Sequence, residues 1–198
     1  MLVVSPPVVG CHPLLGSRKS AGQGRRCRAR RTAATLSAVA DKLGQRASWH
    51  KVDTSDQVSV EQFFENVEPV DGLFTTAATY VTGPMSELSI SDAATAFDSK
   101  FWGQYRVVNT ASPMLSADAS IVLMSGAAGA RPAGMAPAYS AVNAAIEGLA
   151  RGLAVELAPV RVNAVAPGTV IYLLINSATT GSTLYPDGDI PSAKSHVS

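Results

Sequence analysis

From about residue 32 onward, apolar residues recur along the chain in two alternating patterns. Longer segments with apolar positions three and four residues apart predict amphipathic helices. Shorter, nearly continuous apolar runs predict buried parallel strands. The predicted helices are 33–43, 58–67, 90–115 and 138–157. The predicted strands are 48–52, 70–75, 121–124 and 161–165.

The alternation of strands with helices predicts right-handed βαβ units and therefore an α/β fold, a doubly wound parallel sheet in three αβα layers. The clearest helix is 138–157, where Val142, Ile146 and Leu149 fall on one face. Ser91 is the expected N-cap of the helix 90–115. Ligands of such sheets bind at the carboxyl ends of the strands, so the segments after the strands are where chemistry is expected.

The two ends of the chain differ in charge. Residues 1–40 carry seven Lys/Arg and no acid, whereas the rest carries nine Lys/Arg against fifteen Asp/Glu, a net of −6. Three interpretations of the basic segment stay open: an organelle transit peptide, a nucleic-acid patch, or a stretch that does not serve the fold behind it. Since no aromatic residues interleave the arginines, stacking on single strands is disfavoured. We expect no nucleic-acid partner and a cytoplasmic location, with the transit peptide left open.

Length and composition predict a single globular domain. The chain has 198 residues, of which 46% are hydrophobic and 16% charged. We expect a domain over 1–170, degenerate over 1–31, and an irregular tail over 171–198. No apolar run reaches membrane-spanning length, which predicts no membrane association. Two cysteines are too few for a disulfide framework and lack the partners of a zinc site, so no metal is expected.

The densest chemical signal is the segment 121–168. A strand there ends in Ser125, a loop follows, Tyr139 opens a helix, and a second strand ends in Pro167-Gly168. This arrangement resembles the short-chain dehydrogenase/reductase family over about residues 32–170. The resemblance implies a Rossmann-type fold and an oxidoreductase that uses NADP or NAD. It also implies hydride transfer between a small-molecule carbonyl/alcohol pair, and a homo-oligomer formed through the two long helices.

The resemblance also implies catalytic roles for two hydroxyl groups. Tyr139 is the expected acid/base and Ser125 the expected residue that orients the substrate oxygen. Ser125 lies fourteen residues before Tyr139, whereas the family spacing is about one shorter and points to Gly126. A one-residue loop insertion restores the role of Ser125. The alternative is a strand-end hydroxyl that only caps a turn.

A tyrosine that works near neutral pH needs a cation beside it. The ordinary pKa of a phenol is about 10, and nearby positive charge lowers it. The family supplies this charge from a lysine four residues after the tyrosine, one helical turn on, and has an asparagine in the preceding long helix. Here Asn143 and Lys100 stand at those two positions. We hypothesise that the pair is exchanged and that Lys100 supplies the ammonium; the alternative is an ordinary exposed helix lysine.

Cofactor contacts are expected after three of the strands. Asp53 resembles the residue that hydrogen-bonds the adenine, although an Asx-turn role is an open alternative. Thr76 and Ala77 stand where the family lines the cofactor ribose. Pro167, Gly168 and Val170 belong to the loop whose backbone meets the carboxamide.

The phosphate loop departs furthest from the family. Gly10 and Gly16 keep the outer glycine positions, but Leu14 takes the space that the phosphates need. Beyond this loop the segment 17–31 is rich in arginine. Because a buried strand cannot hold so many unpaired guanidinium groups, no strand is expected there. The alternative is that a second strand does end at Arg31. Arg31 is then the candidate partner of the NADP 2′-phosphate, with a solvated arginine as the other interpretation.

A second functional hypothesis is a catalytically impaired protein that keeps the fold and the surface of the two long helices through which copies of the chain would pair. Small residues on the helix 138–157 would permit close approach of another helix: Ala144, Gly148 and Gly152. We also hypothesise that residues 11–30 and 171–198 derive from altered coding sequence.

Overall fold

A computed structural model describes residues 2–4, 26–30, 47–65, 67, 69–79, 81–130, 136–166 and 180–184. Its strands are β1 (Leu2–Val4), β2 (Arg26–Arg30), β3 (Ala47–Lys51), β4 (Val70–Thr75), β5 (Leu115–Met124), β6 (Arg161–Val165) and β7 (Thr183–Leu184). Its α-helices are α1 (Gln57–Phe64), α2 (Ile90–Ala96), α3 (Gly103–Ala111) and α4 (Pro137–Glu156). A π-helix, Phe97–Trp102, joins α2 to α3, and 3₁₀ turns cover Ser112–Met114 and Ala127–Gly129.

Within the described residues the strands form one sheet in the order β3-β2-β1-β4-β5-β6-β7. Parallel pairing joins β2 to β3, β4 to β5, β5 to β6 and β6 to β7. The predicted doubly wound sheet with Rossmann-type strand order is thus confirmed. One strand departs from it: β1 runs antiparallel to both of its neighbours, β2 and β4.

The arginine-rich segment contains a strand. Arg26–Arg30 forms β2 and pairs on one side with β1 and on the other with β3. The argument that the guanidinium groups exclude a strand from this segment is therefore wrong, whereas the alternative of a second strand ending at Arg31 agrees with β2 to within one residue. The sequence alternates arginine with Cys27 and Ala29, which is the two-residue period of a strand. The argument against a strand considered only the number of arginines and ignored this alternation.

The N-cap of α2 lies two residues before the predicted one. Ser89, not Ser91, is the N-cap, and its Oγ accepts a hydrogen bond from the Asp92 amide at 3.1 Å. Ser89 Oγ also donates to Asp92 Oδ2 at 2.7 Å. Serine followed three residues later by an acid is a typical helix start, and it satisfies amides that the first turn would leave unpaired.

Several predicted boundaries move, and one predicted helix lies outside the described residues. The helix predicted over 33–43 is in that undescribed part. β5 begins at Leu115, six residues before the predicted strand. β7 lies inside the segment predicted to be an irregular tail and pairs parallel with β6. The Asn163 side chain supports this pairing, because its Oδ1 accepts from the Ser182 amide at 3.1 Å.

The core lies between the central strands and the helices α1, α3 and α4. Its fully buried members include Phe64, Leu73, Ile121, Leu123 and Ile146. Burying a side chain of this size contributes about 1.5–3 kcal/mol each. The predicted face of α4 points here, with Val142 and Ile146 completely buried. The core therefore fixes α3 and α4 over the carboxyl ends of β4 and β5. None of the described helices combines the length and the apolar character that crossing a bilayer requires.

Candidate active site

The helical segment between β4 and β5 changes its winding at the point where it carries a buried lysine. A π-helical stretch, Phe97–Trp102, is inserted between α2 and α3. π-helical insertions are rare in proteins, but many of those that do occur lie at functional sites. Lys100 lies within it and is only 2% exposed. The interpretation of Lys100 as an ordinary exposed helix lysine is therefore wrong.

The ammonium of Lys100 is held by two oxygen atoms. Its Nζ donates to the Ser125 carbonyl at 3.1 Å and to Oδ1 of Asn143. It also lies over the Tyr139 ring, 5.2 Å from the ring centroid. Burial lowers the pKa of Lys100 to about 8. The structure therefore brings together the lysine, the asparagine and the tyrosine that the sequence singled out.

Asn143 links this ammonium to the helical turn that carries the tyrosine. Its side chain is fully buried, and its Nδ2 donates to the Tyr139 carbonyl one turn earlier at 2.7 Å. The amide also fills the space beside Gly126. A Cβ on Gly126 would lie 2.9 Å from Asn143 Oδ1, closer than real Cβ contacts come. Position 126 is therefore kept free of a side chain by the same amide that holds Lys100.

Ser125 is engaged at every polar atom. Its amide donates to the Val165 carbonyl at 2.9 Å. Its carbonyl accepts from Lys100, and its Oγ lies 2.9 Å from Glu147 Oε1 and 3.1 Å from the Asn143 carbonyl. The residue is 2% exposed. The predicted role of orienting the substrate requires the hydroxyl to leave both acceptors on α4.

Two buried side chains of this site were not predicted from the sequence. Glu147 accepts from Ser125 and is 9% exposed. Gln104 is fully buried and binds the end of β5 twice, through Nε2 to the Met124 carbonyl at 3.0 Å and through Oε1 from the Met124 amide at 2.9 Å. A signal existed for Glu147, because it lies four residues after Asn143 and shares its helix face. For Gln104 the sequence carried no such signal.

The Asp53 side chain forms the Asx turn that was one of its two predicted roles. Its Oδ1 accepts from the Ser55 amide at 3.0 Å and from the Ser55 hydroxyl at 2.7 Å. Its own amide donates to Ser59 Oγ at 3.0 Å. This arrangement fixes the loop between β3 and α1. The adenine contact of Asp53 stays a prediction.

The end of β4 packs closely against the start of α3. A Cβ on Gly103 would lie 3.2 Å from Thr54 Oγ1 and 3.3 Å from the Ala77 methyl, so only a glycine fits here without displacement. Thr76 is exposed and Ala77 half-buried, directly after Thr75. Thr75 is fully buried, and within the described residues its Oγ1 has no hydrogen-bond partner. A buried hydroxyl without a partner is an unsatisfied group of the kind that a bound ligand can satisfy.

The remaining predicted contacts lie outside the described residues. They are Gly10 and Gly16 of the phosphate loop, Arg31, and Pro167, Gly168 and Val170.

Comparison with known proteins gives one family match and several relatives. A family model described as "Enoyl-(Acyl carrier protein) reductase" matches residues 26–188, and so includes part of the predicted tail. "Retinol dehydrogenase 8" of Bos taurus is 29% identical over 140 residues, 68% of this chain and 45% of that protein. "Short chain dehydrogenases/reductase notP'" of Aspergillus versicolor is 30% identical over 167 residues, 76% of this chain and 55% of that protein. The chain thus spans about half the length of these two proteins.

Solved structures show the same architecture. A small-chain dehydrogenase superposes with a TM-score of 0.70 at 29% identity, covering 83% of this chain and 97% of that one. A small-chain dehydrogenase in complex with NADPH gives a TM-score of 0.69 at 26% identity, covering 82% and 96%.

Proposed function

Because the chain belongs to the short-chain dehydrogenase/reductase family, we propose that it is an NAD(P)(H)-dependent oxidoreductase that interconverts a carbonyl and an alcohol by hydride transfer. The observation that carries the proposal is the buried Lys100 ammonium beside the Tyr139 ring. It stands in for the lysine that the family places where this chain has Asn143.

In this proposal Tyr139 is the general acid/base. A cation beside a phenol favours the phenolate, so the proton moves between the Tyr139 hydroxyl and the substrate oxygen at lower energetic cost. Lys100 is fixed for this task, because two of its three N–H groups are bound by Asn143 and Ser125. Asn143 holds the cation against the turn of α4 that begins at Tyr139. Ser125 contributes its carbonyl to the position of the ammonium, and its hydroxyl role toward substrate stays a prediction.

The described residues fit a dinucleotide at the carboxyl edge of the sheet. The unpartnered Thr75 hydroxyl, the small side chain of Ala77 and the third N–H of Lys100 lie at or near this edge. When bound, the nicotinamide supplies or accepts the hydride. In this proposal Thr76, Ala77, Pro167, Gly168 and Val170 would line the ribose and nicotinamide.

The same proposal assigns the adenine and phosphate contacts to Asp53, Gly10, Gly16 and Arg31. We favour NADP over NAD, since the 26% identical small-chain dehydrogenase was solved with NADPH. The substrate is proposed as a small molecule with a carbonyl/alcohol pair, the chemistry named by the bovine relative, a retinol dehydrogenase.

Cofactor binding is the direct test of this function. NADPH and NADH are titrated into the protein, and the change in dinucleotide fluorescence is followed. Saturable binding of NADPH is expected, weakened in Lys100→Met and unchanged in Lys51→Met, which alters an exposed lysine. Absence of saturable binding by either dinucleotide would refute the oxidoreductase.

A second candidate function is an impaired family member that retains the pairing surface. Two observations favour it: the Ser125 hydroxyl is bound to α4, and α3 and α4 leave a groove between them. The groove is lined by Tyr105, Val108, Asn109, Ser112, Leu149, Gly152, Leu153, Glu156 and Leu157. Next to it Trp102 is 45% exposed and stacks edge-on against Tyr105. Such an aromatic surface suits a homo-oligomer.

The two functions separate in one pair of measurements. Sedimentation of the wild type and of Tyr105→Glu reports the assembly, and NADPH oxidation with a panel of carbonyl compounds reports the activity. A homo-oligomer that Tyr105→Glu dissociates, without turnover or NADPH binding, supports the impaired member. Turnover supports the oxidoreductase.

A further inference from the structure

Glu147 is a buried acid whose carboxylate contacts the loop after β5. It lies eight residues after Tyr139 on α4 and is 9% exposed. Within the described residues its hydrogen bond comes from the Ser125 hydroxyl, at 2.9 Å. An acid so enclosed is costly to bury unless its oxygen atoms are hydrogen-bonded. The fold therefore accepts the cost of burying the Glu147 carboxylate, whose hydrogen bond goes to the short loop after β5.

The loop and the helix face are shaped to each other at two glycines. A Cβ on Gly129 would lie 2.6 Å from Glu147 Oε1, and a Cβ on Gly126 would lie 2.9 Å from Asn143 Oδ1. Asn143 and Glu147 are one helical turn apart, so the two contacts follow one line along α4. Side chains at either glycine would push the loop away from the helix. At Gly129 the added Cβ would also meet the backbone of Asn143 and Ala144, each at 3.1 Å, so these two polar side chains and the backbone of α4 together set the position of the loop.

Ser125 transmits that position to the lysine. Its hydroxyl faces Glu147, while its carbonyl accepts from Lys100 Nζ at 3.1 Å. A displacement of Ser125 would displace one of the two acceptors of the ammonium. We propose that Glu147 is a positioning residue, which acts through Ser125 to hold the Lys100 ammonium beside Tyr139. Its meaning for catalysis rests on the proposed function, but its effect on Lys100 does not.

The charges around Lys100 give the sign of the expected effect. Within the described residues, the π-helix itself carries Asp98, α2 carries Asp92, and α3 carries Tyr105 and Arg106. On α4 the titratable groups are Tyr139, Glu147, Arg151 and Glu156. Of all these, Tyr139 lies beneath the Lys100 ammonium and Glu147 binds the hydroxyl of Ser125, whose carbonyl accepts from Lys100. Burial already lowers the pKa of Lys100 to about 8. Removing the side chain that holds the Ser125 hydroxyl loosens the Ser125 carbonyl, and a looser acceptor makes the ammonium harder to keep. The half-titration pH of Lys100 should then fall.

The test reads Lys100 directly in the protein without cofactor. Lysine labelled with ¹³C and ¹⁵N is titrated by NMR, and the Lys100 signal among the five lysines is assigned by its loss in Lys100→Met. Glu147→Ala and Ser125→Ala are each expected to lower the half-titration pH by about half a unit to one unit. The double variant is expected to go little further than either single one, because both changes break the same connection. Glu87→Gln, at an exposed turn, is the control and should leave the midpoint unchanged.

An unchanged Lys100 midpoint in a folded Glu147→Ala overturns the proposal, as do fully additive effects in the double variant. If Glu147→Ala does not fold, Ser125→Ala decides, because it removes the hydroxyl that joins the loop to Glu147: a lowered midpoint supports the proposal and an unchanged one overturns it. Absence of NADPH binding by the wild-type protein would instead refute the proposed function. The Lys100 titration would remain readable in that case, so the two failures are distinguishable.

Discussion

Replacing Lys100 by methionine tests the exchanged lysine most directly. Methionine has similar length but no charge, so Lys100→Met removes the ammonium that lies 5.2 Å from the Tyr139 ring centroid. For phenolate charge spread over the ring, a unit charge at that distance and an effective dielectric constant of about 20 is worth at most about 3 kcal/mol, or roughly two pH units. Salt and water reduce this figure. We therefore expect the pH optimum of alcohol oxidation to rise by about one to two units in the variant.

The difference between the two proteins should itself depend on pH. Since the pKa of Lys100 is about 8, the wild type carries the charge below that value and loses it above. At pH 7 the variant should be slower by about ten- to a hundredfold, as one to two units imply. The difference in rate should shrink as the pH rises above 8, where the ammonium begins to lose its proton. A solvent-exposed lysine with an ordinary pKa of about 10.4 would keep its charge over this range, and the difference in rate would then stay constant.

The assay follows NADPH absorbance with the same substrate across the pH range, for the wild type, Lys100→Met and Lys51→Met. Circular dichroism checks that each variant is folded, because the change leaves Asn143 Oδ1 and the Ser125 carbonyl without their donor, at about 1–3 kcal/mol each. Lys51→Met, an exposed lysine, should match the wild type. Superimposable pH profiles for Lys100→Met and the wild type would refute the role of the ammonium.

Three further predictions concern the same cluster. The single variants Lys100→Asn and Asn143→Lys should each lower the melting temperature and weaken NADPH binding, whereas the double variant should recover part of both losses; equal or additive losses in the double variant would contradict the exchange. Gly126→Ala should cost about 1–3 kcal/mol of unfolding free energy, measured by urea denaturation, since its Cβ would meet the Asn143 amide; a neutral effect would show that the amide moves freely. The unfolded chain binds the Lys100 proton more tightly than the folded one, whose lysine pKa is about 8. The free energy of unfolding should therefore rise with pH between about 8 and about 10.4, by up to about 3 kcal/mol relative to Lys100→Met; parallel curves for the two proteins would exclude this.

The fold was predictable in the segments where apolar residues recur with a single period, that of a helix or that of a strand. The apolar face of α4 and the runs of β5 and β6 predicted the central layers, because burial against one sheet leaves a repeating mark. β2 was not predictable by counting charges, since backbone pairing with two neighbours forms the strand. The direction of β1 left no mark either, because three residues carry no signal that separates parallel from antiparallel pairing.

The site was predictable only in part, for a different reason. Lys100 and Asn143 were detectable because two residue types stood at each other's expected positions. The direction of the Ser125 hydroxyl was not, since a serine at a strand end can face either way. The spacing from Asn143 places Glu147 on the same helix face, but its contact with Ser125 joins positions 22 residues apart, which local spacing does not encode.

In the proposed exchange of Lys100 and Asn143, the electrostatic requirement belongs to a point in space and not to one position in the sequence. Either of two adjacent helices can deliver the cation to that point, provided that the other supplies a neutral partner of matching shape. A search that demands one string of letters after the tyrosine would discard this chain. A search keyed to the distance between a cation and the phenol ring would retain it.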